Sequence, residues 1–131
     1  MYKEYDKNIL KKLQSNQLDI LKDFIEICKK YNLTYFMVFG SALGATRHNG
    51  FIPWDDDVDV IMSRSEYERF FSEAASDFDE ACYFVQREHS AHWPMPYAKL
   101  RRNNTTCIEK NAYRLNTASH NIMKKSDLLD R

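Results

Sequence analysis

The chain has 131 residues, enough for one domain with one hydrophobic core. Hydrophobic residues make up 44% of it and charged residues 29%, which is typical of a globular protein and excludes wholesale disorder. The 19 Lys and Arg residues balance the 19 Asp and Glu residues, so no overall positive field favours nucleic-acid binding.

The cysteines and the hydropathy pattern indicate a cytoplasmic protein. Cys28, Cys82 and Cys107 lie far apart and form no CxxC pair, which favours reduced thiols over a disulfide frame or a zinc site. No stretch approaches the ~20 consecutive apolar residues of a membrane span. The N-terminus also lacks the apolar segment of a secretory signal. We therefore expect a cytoplasmic chain without a membrane span, folded as a single domain over residues 1–131.

The first predicted elements are a long helix and a buried strand. Between Asn8 and Tyr31 apolar residues recur at helical spacing without Gly or Pro, which predicts one long helix or two short ones. The β-branched and aromatic run Thr34–Phe39 predicts a buried strand. All three glycines follow within Gly40–Gly50. There we expect a tight turn, a short helix over Ala42–Arg47 and a second turn, because glycine permits sharp turns and close backbone approach.

The second half of the chain predicts one more helix and further strands. The alternating run Asp57–Met62 predicts a second strand. Ser63 with Glu66 forms a capping-box pattern, which predicts a helix through about Phe78. The remaining predicted strands cover residues 81–88, 97–102 and, as a returning hairpin partner, 105–110.

The order of these elements predicts the fold class. Helices alternating with short strands indicate an α+β (mixed α/β) fold, with a small mixed sheet flanked by helices and preceded by the long N-terminal helix. Residues 111–131 have weak periodicity and mixed polarity. We expect that segment to be a degenerate or poorly ordered tail.

The stretch "IPWDDDVD" at residues 52–59 places four carboxylates within five positions. Neighbouring carboxylates repel one another, and partial burial increases the cost. In a strand, Asp57 and Asp59 project from the same face, whereas Asp56 points away. Two carboxylates side by side suit Mg²⁺, which binds a few carboxylates and shares its other positions with substrate phosphates. The pattern therefore indicates a metal site, or else a solvated acidic turn.

The residues before the acids bear on that choice. A turn at Gly40 and Ser41, followed by Arg47 and His48, places backbone amides and cations near the acids, as a phosphate bound to a metal requires. An exposed loop histidine is the alternative reading of His48. Trp54 is expected to pack under the loop, or to stack on a base or a choline-like cation.

The whole stretch "VFGSALGATRHNGFIPWDDDVDV" resembles the LicD family, which includes phosphocholine transferases of bacterial surface glycans and the fukutin-related proteins. The family motif is roughly G-[GS/T]-x-L-G-x-x-R-x-x-G-x-I-P-W-D-D-D-[IV]-D. A second tract, "PMPYAKLRRNNTTCIEK", resembles the family's A-K-[IL]-R segment. The matching motif positions are Gly40, Ser41, Leu43, Gly44, Arg47, Gly50, Ile52, Pro53, Trp54, Asp55, Asp56, Asp57 and Asp59.

The resemblance implies a nucleotidyltransferase-like fold and a transferase that depends on Mg²⁺ or Mn²⁺. Such an enzyme moves phosphocholine from CDP-choline, or another group from a similar nucleotide-activated donor, onto a lipopolysaccharide, teichoic-acid or capsule precursor. The implied partners are the donor and a glycan acceptor, with no nucleic acid. Peripheral contact with a lipid-linked acceptor is compatible with this reading.

The resemblance also implies a role for each matching residue. Asp57 and Asp59 bind the metal, with Asp55 as a supporting ligand. Gly40 and Ser41 approach the donor phosphates, and Arg47 neutralises charge on the transferred phosphoryl group. Lys99 and Arg101, on one face of the predicted fourth strand, form a second cationic clamp.

Two departures from the family pattern give an alternative. Aligning His120 with a family histidine places Lys125 where a third carboxylate is expected. The chain ends at Arg131, whereas the family's domains continue further, so we expect the domain to be incomplete. The alternative is a catalytically inactive or truncated LicD-like remnant that binds nucleotide, metal or a partner protein.

Overall fold

The structure is a computed structural model, and it describes residues 6–90 and 95–105. The chain divides into two compact units between Ala74 and Ala75. The single domain predicted over residues 1–131 stays a prediction, and the predicted tail at 111–131 lies outside the described residues.

Helix α1 (Lys7–Lys30) confirms the helix predicted over Asn8–Tyr31. Asp6 caps its N-terminus, where its carboxylate accepts hydrogen bonds from two amides of the first turn at 2.9 and 3.3 Å. One face of the helix is buried, at spacings of three and four residues, as the apolar periodicity predicted. The buried positions are Leu13, Gln17, Ile20, Phe24 and Cys28.

An aromatic cluster forms the core of the first unit. The ring of Phe24 lies edge-on to Tyr35, with centroids 5.2 Å apart, and tilted against Phe70 at 5.7 Å. Phe24 and Phe70 are 8% and 6% exposed. Burying a large apolar side chain stabilises a fold by about 1.5–3 kcal/mol, so these contacts attach α1 firmly to this unit.

Two short antiparallel strands follow, β1 (Phe36–Met37) and β2 (Val60–Ile61). The longer strands predicted over Thr34–Phe39 and Asp57–Met62 are therefore wrong in extent. The predicted burial is wrong as well, because Phe36 is 63% exposed.

Local contacts explain why β1 is short. At one end, the amide of Thr34 donates to the carboxylate of Glu66 at 2.6 Å and so does not join the sheet. At the other end, Phe39 has a φ of 53°, which takes the backbone out of the extended region and into the next helix. The strand propensity of the run is therefore overridden by one hydrogen bond and one backbone angle.

Helix α2 (Phe39–His48) contains the short helix predicted over Ala42–Arg47 and extends it, so the tight turn predicted before it at Gly40 is wrong. The turns lie at non-glycine residues instead, at Phe39 and at Asn49, each with a φ of 53°. None of the three glycines has a positive φ. At Gly40 and Gly44 the missing side chain instead lets other parts of the chain approach α2 closely.

Helix α3 (Arg64–Arg69) begins at the predicted cap, where the Ser63 hydroxyl accepts a hydrogen bond from the Glu66 amide at 3.3 Å. The reciprocal half of the capping box does not form, because the Glu66 carboxylate binds Thr34 and Arg69 instead. The regular α-helix ends earlier than predicted. A wider π turn continues over Phe70–Ala74.

The second unit begins with a 3₁₀ turn over Ala75–Asp77 and contains β3 (Tyr83–Gln86) and β4 (Lys99–Arg102). These strands confirm those predicted over 81–88 and 97–102, and they pair antiparallel with one another. Of the hairpin partner predicted over 105–110, only Thr105 belongs to the described residues.

The α+β fold class is confirmed. In the described part of the chain the strands form two separate antiparallel pairs, rather than the predicted single mixed sheet. None of the helices described is both long and apolar enough to cross a membrane.

Candidate functional site

The candidate site is the acidic loop, Asp55–Asp59, and it begins with a tight turn. The Asp55 amide donates to the Ile52 carbonyl at 2.9 Å and closes this turn. Gln14 of α1 reaches the same turn, where its Nε2 donates to the carbonyls of Asp55 at 2.9 Å and Ile52 at 3.4 Å. Gln14 was not predicted as a site residue, because these partners lie 38 and 41 residues away and no motif includes it.

Three carboxylates converge after this turn. Asp55, Asp56 and Asp57 each offer an oxygen, and the three oxygens lie within 4.8 Å of one another. The prediction that Asp56 points away is wrong. Its basis was the alternation of side chains in a strand, and these residues lie in a loop.

Asp59 lies at the other end of the loop, outside this group of three. Its amide donates to the Ser41 hydroxyl at 2.9 Å, and its carbonyl accepts from the Val38 amide at 3.2 Å. Ser41 is 8% exposed. A serine hydroxyl that accepts this bond still has its own hydrogen to donate.

The protonation of the loop reflects its crowding. Partial burial, the charges of Asp59, Asp55 and Asp56, and a hydrogen bond with Asp55 raise the pKa of Asp57 from 3.8 to about 7. Partial burial and the Asp55 charge also raise the pKa of Asp59. The loop therefore concentrates more negative charge than it can stabilise alone near neutral pH.

Gly40 allows the acidic loop to approach α2. A Cβ at this position would lie 2.5 Å from Oδ2 of Asp55, closer than a side chain permits. Gly40 and Ser41 also belong to the first turn of α2, where amides have no partner within the helix. Such amides can donate to a phosphate, as predicted for these two residues.

Gly44 plays a purely steric part in the same helix. A Cβ there would overlap the carbonyl oxygen of Gly50 and lie 2.8 Å from the amide nitrogen of Ile52. The end of α2 and the turn before the acids can therefore pack together only around a glycine. Gly50 differs, because a Cβ there would meet nothing within 4 Å.

Arg47, His48 and Trp54 all lie at the surface. Arg47 and His48 occupy the exposed last turn of α2. Arg47 makes no ion pair with any described residue, so its predicted role towards phosphate stays a prediction. Trp54 is 57% exposed, and the expectation that it packs under the loop is wrong.

Lys99 and Arg101 lie on β4, in the second unit. Their alternate positions place them on one face of the sheet, as predicted, and Arg101 is fully buried. Gln86, opposite Lys99 in the ladder, is 2% exposed. Its amide has no hydrogen-bond partner among the described residues. Whether Lys99 and Arg101 act on the donor stays a prediction.

The acidic loop is chemically suited to a divalent cation. Its donors are carboxylate oxygens, the ligands that Mg²⁺ and Mn²⁺ prefer. A dication among them would also offset the repulsion that raises the pKa of Asp57. Several other predicted positions, His120, Lys125 and Cys107 among them, lie outside the described residues.

Comparison with known proteins identifies a family. Residues 32–127 match the family described as "LicD/FKTN/FKRP, nucleotidyltransferase domain". The chain is 53% identical over 53 residues to the "Lipopolysaccharide cholinephosphotransferase LicD" of Haemophilus influenzae, a match covering 40% of this chain and 20% of that protein. It is 36% identical over 72 residues to "Uncharacterized protein RP689" of Rickettsia prowazekii, covering 54% of this chain and 26% of that protein.

A further relative is "Uncharacterized protein RT0683" of Rickettsia typhi, 37% identical over 68 residues, or 51% of this chain and 21% of that protein. The chain thus spans about a quarter or less of the curated relatives it matches. No solved structure matches it. The family match covers most of the chain, including the acidic loop and both strand pairs, and the chain belongs to the LicD family.

Proposed function

We propose that this chain is part of a transferase that moves phosphocholine from CDP-choline, or a related group from a similar nucleotide-activated donor, onto a surface-glycan precursor. The observation that supports this most is the group of three carboxylate oxygens within 4.8 Å of one another, next to Gly40 of α2 and inside the family match. The name of the Haemophilus relative supports phosphocholine as the group and lipopolysaccharide as the acceptor.

The acidic loop is the proposed site of Mg²⁺ or Mn²⁺. Asp57 and Asp59 are the proposed ligands with Asp55 in support, and the convergence of its oxygen adds Asp56 to this set. When bound, the ion neutralises phosphate charge and stabilises the oxygens of an in-line displacement.

The protein's own groups orient the donor and offset its charge. The first-turn amides at Gly40 and Ser41, together with the Ser41 hydroxyl, donate hydrogen bonds to phosphate oxygens. Arg47 is the proposed partner of the transferred phosphoryl group. The acceptor oxygen bonds to phosphorus as the bond to the departing nucleoside monophosphate breaks, and the hydroxyl proton is released.

A second candidate function is binding of metal and nucleotide without transfer. Lys125 favours it, because this position aligns with a carboxylate in the family pattern. A lysine there would leave the metal with fewer anionic ligands and the acceptor hydroxyl with one base fewer.

The first test is the thermal midpoint with CDP-choline, CTP or no nucleotide, each with Mn²⁺ or with EDTA. Asp57→Asn is compared with Asp19→Asn, which removes an exposed carboxylate on α1. A ligand at a hundred times its Kd stabilises the fold by about 2.7 kcal/mol. We expect a Mn²⁺-dependent rise with nucleotide that Asp57→Asn loses and Asp19→Asn keeps.

Phosphorus NMR of the same mixtures with lipopolysaccharide separates the two candidates. Appearance of CMP and of a glycan-linked phosphodiester supports transfer. A thermal shift without any new phosphorus signal supports binding alone. A cooperatively melting protein that shows no shift with any nucleotide contradicts both.

A further inference from the structure

We infer that Gln14 is a positioning residue of the metal site, so that α1 is part of the functional unit and not only of the core. The inference rests on the proposed metal-binding function of the acidic loop. It adds a residue from outside the segment that matches the family, which begins at residue 32.

Gln14 binds both ends of the turn that leads into the acids. Its Nε2 lies 2.9 Å from the Asp55 carbonyl oxygen and 3.4 Å from that of Ile52. A primary amide has two N–H hydrogens, so one side chain can donate to both carbonyls. These residues are already joined by the Asp55 amide, which donates to Ile52 at 2.9 Å. Gln14 therefore fixes the turn as a unit.

The position of this turn determines where the first metal ligand lies. The Asp55 backbone is attached to Gln14, and its carboxylate lies in the space that glycine leaves at position 40. Oδ1 of Asp55 also accepts a hydrogen bond from the Asp56 amide at 3.0 Å. A shift of the turn would thus move Asp55 and Asp56 together, away from the oxygen of Asp57. Metal sites tolerate displacements of only about 0.5 Å.

The helix that supplies Gln14 is itself well fixed. Leu13, the preceding residue, is 2% exposed, and Gln17, in the next turn, is 9% exposed. The backbone at Gln14 is therefore fixed by packing on both sides. Its hydrogen bonds are partly buried, where the lower effective dielectric strengthens them.

The acidic loop thus has separate hydrogen-bonded attachments at its two ends. Ser41 binds the amide of Asp59 at the far end, and Ser41 belongs to the family motif. Gln14 binds the near end, from a different helix. The three converging oxygens belong to the near end. We therefore expect Gln14 to influence their positions more than Ser41 does.

The test measures Mn²⁺ affinity by calorimetry on the full chain, well below the melting midpoint of every variant. Gln14→Met preserves the length of the side chain and its helix propensity but removes both hydrogen bonds. Gln17→Met is the control, because it makes the same change one turn further along the helix, at a buried position without the contacts to the turn. Loss of residues that orient metal ligands usually costs 10–100-fold in affinity. We expect Gln14→Met to weaken Mn²⁺ binding by about that factor and Gln17→Met to leave it within about twofold.

The outcomes distinguish this inference from the proposed function. Equal Mn²⁺ affinity of the wild type and Gln14→Met overturns the role of Gln14 and leaves the metal site intact. An equal loss in Gln14→Met and Gln17→Met also overturns it, because the effect then reflects helix packing. A wild-type chain that binds no Mn²⁺ overturns the metal site and this inference with it. If Gln14→Met does not fold, Gln14→Ala takes its place, and failure of both to fold shows a role in stability rather than in positioning.

Discussion

The two sides of α2 come from one short stretch of sequence but pack in opposite ways. The inner side contacts the acidic loop or its turn and comprises Gly40, Ser41 and Gly44. The outer rim is exposed and comprises Arg47 and His48 in the last turn of the helix, together with the α-carbon of Gly50 just beyond it. Contacts within the fold explain each inner residue: the two glycines avoid steric overlap, and Ser41 makes a hydrogen bond. The outer residues make no such contact within the described part of the chain, and the role of Arg47 towards phosphate stays a proposal.

Gly44→Ala is expected to give the largest effect on stability. The new Cβ would overlap the Gly50 carbonyl and approach the Ile52 amide, and both are backbone atoms that cannot move cheaply. Overpacking of this kind costs about 1–3 kcal/mol or more, which exceeds the ~1 kcal/mol gained in helix propensity. Urea unfolding measures the change. A variant as stable as the wild type would show that the inner side is not tightly packed.

Asp57→Asn is expected to change the pH dependence of stability without metal. Because the pKa of Asp57 is raised from 3.8 to about 7 in the fold, the folded state binds an extra proton between these values. Its contribution to stability is therefore present at low pH and is lost as the pH rises towards 7. Melting in EDTA should show the wild type losing stability from pH 5 to 8, with a smaller loss in Asp57→Asn.

Glu66 provides the internal check on that measurement. The hydrogen bond from the Thr34 amide, with the hydrogen bond and charge of Arg69, lowers the pKa of Glu66 below 4.5, so its contribution to stability is lost only on acidification. It therefore has no part in the change between pH 5 and 8. An equal slope in the wild type and Asp57→Asn would contradict the crowding of the acidic loop.

Gly40→Ala is expected to weaken metal binding with little change in stability. Its Cβ would meet a side-chain oxygen of Asp55, which can rotate away, rather than backbone. We expect unfolding free energy to change by less than about 1 kcal/mol, since the helix gains propensity. Displacing Asp55 should lower Mn²⁺ affinity about tenfold, at the lower end of the range for disturbed ligand orientation. Unchanged affinity in calorimetry would argue against Asp55 as a ligand.

Gly50→Ala is expected to give the smallest effect and serves as the control for the other two glycines. Nothing lies within 4 Å of its added Cβ, and its φ is not positive. Surface changes of this kind usually stay within about 0.5 kcal/mol. A large loss of stability in urea unfolding would show that the outer rim is packed after all.

Much of the local structure could be predicted from the sequence. Helix α1 has apolar residues at helical spacing without Gly or Pro, and Ser63 is a strong cap, so local signals alone identified both helices. Strands β3 and β4 were also found, because each is a short run bounded by turn residues. The first two strands were predicted too long. Glu66 captures the Thr34 amide from 32 residues away, and no local pattern reveals such a contact.

The sequence by itself determined the family, the α+β class and the clustering of four acids, because fixed spacing and composition are local properties of the chain. Only the tertiary structure decided which oxygens converge and which glycines are sterically required. It brought Asp56 into the group, left Asp59 outside it, and placed Gln14 against the turn. These contacts join segments up to 41 residues apart in the sequence. They form only when packing of buried side chains fixes a helix against a distant loop.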